Sequence, residues 1–251
     1  MLILVLDRHY KTVTFASQLL EILNLLRVSG WSSSKIAPQS LNVQKVTGAL
    51  TNSVFFVSSS VPRTPTLLLR IYGSSSETLI SHARELHTLL ILSSQYHFGP
   101  KVYGTFANGR IEEYFDSVAL TPLCLRDSKT SRWIGARMAE LHTVDLDVIE
   151  RHFSKEGNGS RTGVERNVKS WLPPARDVLA LPCVSDASRK EFDLDGFERT
   201  WARYLRWISK MEEIDGPSKR VFSHNDTQYG NLLRLRRLAD GTPEHRQVSD
   251  G

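Results

Sequence analysis

Apolar residues along the chain first follow a helical period and then change to a strand period. Between residues 12 and 28, Phe15, Leu19, Leu20, Ile22, Leu23, Leu25 and Leu26 recur at helical spacing and stop at Gly30, which predicts an amphipathic helix. Ser32 to Ser40 is polar and separates this helix from a strand-rich stretch. Val43 to Val46 and Val54 to Val57 are short β-prone runs, joined by Thr47-Gly48-Ala49-Leu50-Thr51-Asn52, a loop with turn chemistry. Leu67 to Tyr72 reads LLLRIY, the near-continuous apolar run of a buried strand, broken only by Arg70. Helical spacing returns with Leu79, Ala83, Leu86 and Leu90 and closes at Gly99-Pro100. Val102 to Phe106 and Ile111 to Phe115 then flank Asn108-Gly109, a strong hairpin signal. Residues 41 to 115 therefore predict three strands, one helix and two more strands.

Beyond residue 115 the pattern is mainly helical. Ser131 to His142 carries Ile134, Met138 and Leu141 on one face, and Phe197 to Met211 carries Phe197, Trp201, Tyr204 and Trp207. Residues 150 to 190 mix glycines, prolines and charge, and are expected to be loop with short helical pieces. No internal repeat or low-complexity tract is present.

Composition narrows the class. Charged residues make up 24% and apolar residues 40% of 251, as in an ordinary soluble globular protein. The net charge of +5 is scattered. Its tightest cluster, Arg234, Arg236 and Arg237, is too short for a nucleic-acid stripe, so no nucleic-acid partner is expected. Cys124 and Cys183 form neither a disulfide framework nor a metal-ligand pattern. The apolar start MLILVL is interrupted by Asp7, Arg8 and His9, and no run approaches the ~20 apolar residues of a membrane span. The expectation is a soluble cytoplasmic protein without an integral membrane segment.

The chemistry lies in residues 224 to 231, HNDTQYGN, of the form H-x-D-x-x-x-x-N with apolar pairs on both sides. This is the spacing of the catalytic loop in kinase folds. A carboxylate must reach the attacking hydroxyl to orient it and take its proton, which assigns Asp226. An oxygen donor further along must reach a Mg²⁺ on the nucleotide phosphates, which assigns Asn231. His224 braces the loop. A polar turn that happens to contain these residues is the plainer alternative. Two further residues stand where a kinase fold needs them: Arg70 on the third strand, a cation for the phosphates, and Glu85 on the next helix, an acid to hold it. Singly, Arg70 could be an edge-strand residue facing solvent and Glu85 an ordinary surface residue. Gly48, Thr51 and Asn52 belong to a turn that either covers the phosphates or simply closes a hairpin. Glu112, Glu113 and Tyr114 end the fifth strand, where the hinge that grips adenine would lie, mostly through backbone groups.

Several stretches together resemble the choline/ethanolamine kinase family, particularly its fungal choline kinases. They are VFSHNDTQYGNLL (221 to 233), TGALTNSVFFV (47 to 57), LLLRIYG (67 to 73) and FGPKVYGTFANGRIEEYF (98 to 115). The resemblance covers roughly residues 10 to 245. It implies an α+β, protein-kinase-like fold of two lobes. Residues 1–40 would be a helical extension. Residues 41–117 would form an ATP-binding lobe with a five-stranded antiparallel sheet and one helix, and residues 118–251 an incomplete, mainly helical second lobe. It also implies transfer of the γ-phosphate of ATP to choline or ethanolamine with Mg²⁺, the first step towards the corresponding phospholipid. Asp226 would be the catalytic base, Asn231 a Mg²⁺ ligand, Arg70 the phosphate contact and Glu85 its partner.

The family continues with a strand ending in Asp-Phe-Glu. Here Asp250 is followed only by Gly251 and is read as a terminal residue, not as that ligand. The expectation is a truncated chain with impaired catalysis, exposing Leu232, Leu233 and the aromatic face of Phe197 to Trp207. Another small-molecule kinase, of the aminoglycoside phosphotransferase type, is the enzymatic alternative. A non-catalytic module that binds nucleotide or a full-length partner is the other. A homodimer is compatible with the sequence.

Overall fold

Thr12 caps the first helix by accepting the Phe15 N–H at 3.1 Å, and α1 runs Val13–Leu25. Five strands come next: β1 (Leu41–Val46), β2 (Asn52–Ser59), β3 (Leu67–Tyr72), β4 (Val102–Phe106) and β5 (Gly109–Glu113). They form one antiparallel sheet in the order β1-β2-β3-β5-β4, with α2 (His82–Gln95) between β3 and β4 in sequence. The five-strand, one-helix reading of this region is what the sequence predicts. The structure is a computed structural model and describes residues 2–7, 9–32, 36–46, 52–73, 81–151 and 162–236.

The strand alternation sorts the two faces of the sheet. On β3, Leu67, Leu69 and Ile71 are buried while Leu68, Arg70 and Tyr72 are partly exposed. The buried set joins Phe55, Val57, Phe106 and Ile111 with the α1 residues Phe15, Leu19, Ile22 and Leu23 in a single core. Each such side chain contributes about 1.5–3 kcal/mol by leaving water. Trp31 is fully buried in the same core, and its indole N–H donates to the Pro65 carbonyl at 2.9 Å. Thus α1 covers the apolar face, and the opposite face is left for polar chemistry.

The amino-terminal residues are stitched to the β4–β5 hairpin. Leu2 donates to Thr105 O at 3.1 Å and Ala107 to Leu4 O at 3.0 Å. Asn108 accepts from Leu6 N at 2.9 Å and returns its amide to Leu6 O at 2.8 Å. The hairpin expected at Asn108-Gly109 is present, but Gly109 is needed for a different reason. Neither residue is among those with positive φ. A Cβ at Gly109 would sit 2.3 Å from the Arg70 carbonyl oxygen.

The chain divides into two compact units, Met1–Val144 with Ser223–Gly251 and Asp145–Phe222. The first also holds α3 (Pro122–Arg126), α4 (Ser128–Leu141) and a small ladder between β6 (Ser117–Ala119) and β7 (Leu233–Leu235). Leu120 N donates to Leu232 O at 2.8 Å, and Leu232 is buried. The expectation that Leu232 is exposed is therefore corrected. Pairing with β6 draws the residues after Asn231 into this unit.

The second unit contains α5 (Leu146–Glu150), α6 (Gly163–Leu179), α7 (Asp186–Glu191) and α8 (Leu194–Asp215). Here the loop expected over residues 150 to 190 gives way to the continuous helix α6, although Pro173 and Pro174 lie inside it. A capping box between Thr162 and Glu165 nucleates it. Arg176 ties it to α8 through Asp195 (2.7 Å) and Glu198 (2.6 Å). The aromatic face of α8 is open, with Phe197, Tyr204 and Trp207 all exposed.

Candidate active site

The loop between Phe222 and β7 is shaped by its own polar residues. Asn225 has a left-handed φ of 63°, a conformation that Asn adopts more readily than most side-chain-bearing residues. It turns the chain so that Asp226 N–H donates to His224 Nδ1 at 3.2 Å. Tyr229–Asn231 then forms one 3-10 turn. From it, Asn231 Nδ2 reaches back across five positions to Asp226 O (2.9 Å) and Asp226 Oδ2 (2.8 Å). With its amide nitrogen committed twice, Asn231 keeps Oδ1 as an oxygen donor. Asp226 keeps Oδ1 for a further hydrogen bond. His224, Asp226 and Asn231 are thus assembled together, His224 through the bond it accepts from the Asp226 N–H.

On the polar face of the sheet a second cluster forms. Arg70 and Arg110 are directly opposite each other in the β3–β5 register, and Glu112 lies two positions on from Arg110. Arg110 donates through Nε to Glu112 Oε1 and through Nη2 to Glu85 Oε1 at 2.8 Å. Arg70 Nε lies 3.5 Å from the same Glu112 oxygen. From α2, His82 Nδ1 lies 3.6 Å from Glu85 Oε2, and its ring stacks on Tyr72 at 3.9 Å between centroids.

This packing sets the electrostatics. Burial pushes the Glu85 carboxyl up, but the Arg110 hydrogen bond, the charges of Arg110 and Arg70, and His82 together hold it below its ordinary value. Burial works to lower Arg110, and Glu85 and Glu112 outweigh it, so its guanidinium is raised further from titration.

Arg70 is not an edge-strand cation in solvent: β3 is the central strand of the sheet, and the Arg70 side chain is 12% exposed. The expected Arg70–Glu85 partnership is indirect. Arg70 pairs with Glu112, and Glu85 pairs with Arg110 while still feeling the Arg70 charge. Asn52 opens β2 opposite Tyr72, with its Oδ1 buried and lacking a hydrogen-bond partner among the described residues. Gly48, Thr51 and Asp250 lie outside the described residues. Arg110 and the side chain of Glu112 are site residues that the sequence reading passed over. Their signal was an Arg and a Glu two positions apart in a strand otherwise built to be buried.

The family model for choline/ethanolamine kinase matches residues 43–248. The choline kinase of Schizosaccharomyces pombe is 35% identical over 236 residues, covering 92% of this chain and 50% of that protein. The ethanolamine kinase of Saccharomyces cerevisiae is 30% identical over 256 residues, covering 91% and 45%. The chain thus spans about half the length of these relatives. Among solved structures, an ethanolamine kinase of Plasmodium vivax superposes with a TM-score of 0.68 at 20% identity, covering 91% of this chain and 60% of that one. A choline kinase of Cryptosporidium parvum gives 0.57 at 21%, covering 88% and 61%. These two show the protein-kinase-like fold. With the family model spanning most of its length, this chain belongs to the choline/ethanolamine kinase family.

Proposed function

We propose that this chain supplies the nucleotide-binding and hydroxyl-activating residues for ATP-dependent phosphorylation of choline or ethanolamine. The observation that carries the reading is the Asn231–Asp226 contact at 2.8 Å. It holds side by side a carboxylate and an amide, groups that phosphoryl transfer uses to orient the alcohol and to bind Mg²⁺. Asp226 Oδ1 accepts the proton of the alcohol as its oxygen attacks the γ-phosphorus, and the bond between that phosphorus and the ADP oxygen breaks. Arg70 faces the transferring charge from the sheet.

The donor set fits Mg²⁺ shared with a nucleotide. Asn231 Oδ1 is an oxygen ligand of the right kind. Among the described residues no group of three or more His, Cys, Asp or Glu could hold a metal on protein ligands alone. When bound, Mg²⁺ supplies charge neutralisation on the phosphates. No described helix is long and apolar enough to cross a membrane.

The test is product formation by the full chain with Mg²⁺-ATP and a panel of choline, ethanolamine and an aminoglycoside. Formation of phosphocholine or phosphoethanolamine, reduced about 10²–10⁴-fold by Asp226→Asn, is expected. Aminoglycoside turnover would overturn the substrate class. Nucleotide binding without any turnover would favour a non-catalytic module.

A further inference from the structure

The polar face of the sheet holds two cations and two carboxylates where one pair would satisfy a fold. Arg70 and Arg110 are placed opposite each other, an arrangement that by itself repels. Arg110 and Glu112 are 2% and 1% exposed, so neither is a surface ornament. Their hydrogen bonds are divided unequally. Arg110 engages both carboxylates, Glu112 through Nε and Glu85 through Nη2. Arg70 is left with one ion contact of 3.5 Å to Glu112, and its Nε has no hydrogen-bond partner among the described residues. Glu112 Oε1 is the shared vertex of the two arginines.

We propose that Arg110 is a positioning residue for nucleotide binding: by occupying Glu85 and Glu112 it keeps the Arg70 guanidinium available for phosphate. Removing Arg110 leaves the buried Glu112, already 3.5 Å from Arg70, and the partly exposed Glu85, which feels the Arg70 charge, without their shared cation. They then compete with the nucleotide for Arg70, and the planar fork that Arg70 would offer to phosphate oxygens closes on protein. Arg110 acts only through Arg70 and touches no substrate. The inference rests on the proposed nucleotide-binding role of Arg70.

The experiment measures Mg²⁺-ATP and adenosine affinities calorimetrically on the full chain. Adenosine lacks the phosphates and serves as the internal control. Arg110→Gln weakens ATP binding about tenfold or more, the scale of one charge-assisted hydrogen bond, and leaves adenosine binding unchanged. Arg70→Gln does the same, and the Arg70→Gln/Arg110→Gln double variant is no weaker than Arg70→Gln alone. Adding Glu112→Gln to Arg110→Gln restores ATP affinity, because one competing carboxylate is gone.

Equal loss of ATP and adenosine, or losses that multiply in the double variant, would overturn the role. Where Arg110→Gln does not fold, Arg110→Lys decides. It keeps the charge but cannot fork between two carboxylates, and unchanged ATP affinity in it would refute the inference. A wild-type chain that binds adenosine but not ATP would instead remove the proposed role of Arg70, and this inference with it. Retained Arg70-dependent ATP binding with an Arg110-independent affinity would fail the inference alone.

Discussion

Replacing Glu85 by Gln removes one charge from the buried cluster and keeps the side-chain shape. In the wild type, Glu85 Oε1 accepts from Arg110 at 2.8 Å, and the Glu85 side chain is 24% exposed against 2% for Arg110. A hydrogen bond to a charged group contributes about 1.5–3 kcal/mol, whereas a neutral one retained by Gln contributes about 1. Partial exposure favours the lower part of that range, so Glu85→Gln costs about 0.5–1 kcal/mol at neutral pH. The pH dependence has a definite sign. Because the folded carboxyl lies below its ordinary value of 4.5, its stabilisation is fully present above that value and lost as pH falls through the lower folded one. Urea denaturation of wild type and Glu85→Gln at about pH 7, 5.5, 4 and 3 reads the difference, with the other titrating groups common to both proteins. The deficit of the variant is expected to be constant from pH 7 to 5.5 and to shrink below that. A deficit that stays the same down to pH 3, or one that grows on acidification, would refute the assigned ion pair.

Two further substitutions test the scaffold. Asn108→Ala strips both hydrogen bonds from Leu6, a buried residue, and is expected to lower unfolding free energy by about 2–3 kcal/mol. A urea midpoint unchanged from wild type would show that the amino-terminal segment is not held there. Gly109→Ala places a Cβ 2.3 Å from the Arg70 carbonyl oxygen, so it should lower the melting temperature by about 5 °C or more and weaken ATP binding with it. A stable variant with wild-type ATP affinity would contradict the close β3–β5 approach.

Much of the sheet and the loop at residues 224 to 231 was legible because both are local patterns. The helical period of Phe15, Leu19, Ile22 and Leu23 and the alternation on β3 each report one buried face. The Asp226–Asn231 contact spans five positions, short enough for spacing to imply it. The buried cluster was not legible in the same way. Glu85 and Arg110 lie 25 positions apart, and only the β3–β5 register brings Arg110 opposite Arg70. The hairpin at Asn108-Gly109 was legible as a local pattern, but not the close approach of Gly109 to the Arg70 backbone. In α6, Pro173 and Pro174 read as breakers. The helix nevertheless runs through them, started by the Thr162–Glu165 capping box and joined to α8 by Arg176.

The central claim is that Asn231 and Arg70 serve one nucleotide from two sides. Calorimetric ATP binding with and without Mg²⁺, in wild type, Asn231→Ala and Arg70→Gln, tests it most directly. The account predicts that Mg²⁺ tightens ATP binding in the wild type, that this gain is lost in Asn231→Ala, and that Arg70→Gln weakens ATP binding in both conditions. ATP binding indifferent to Mg²⁺ and to both substitutions would contradict it.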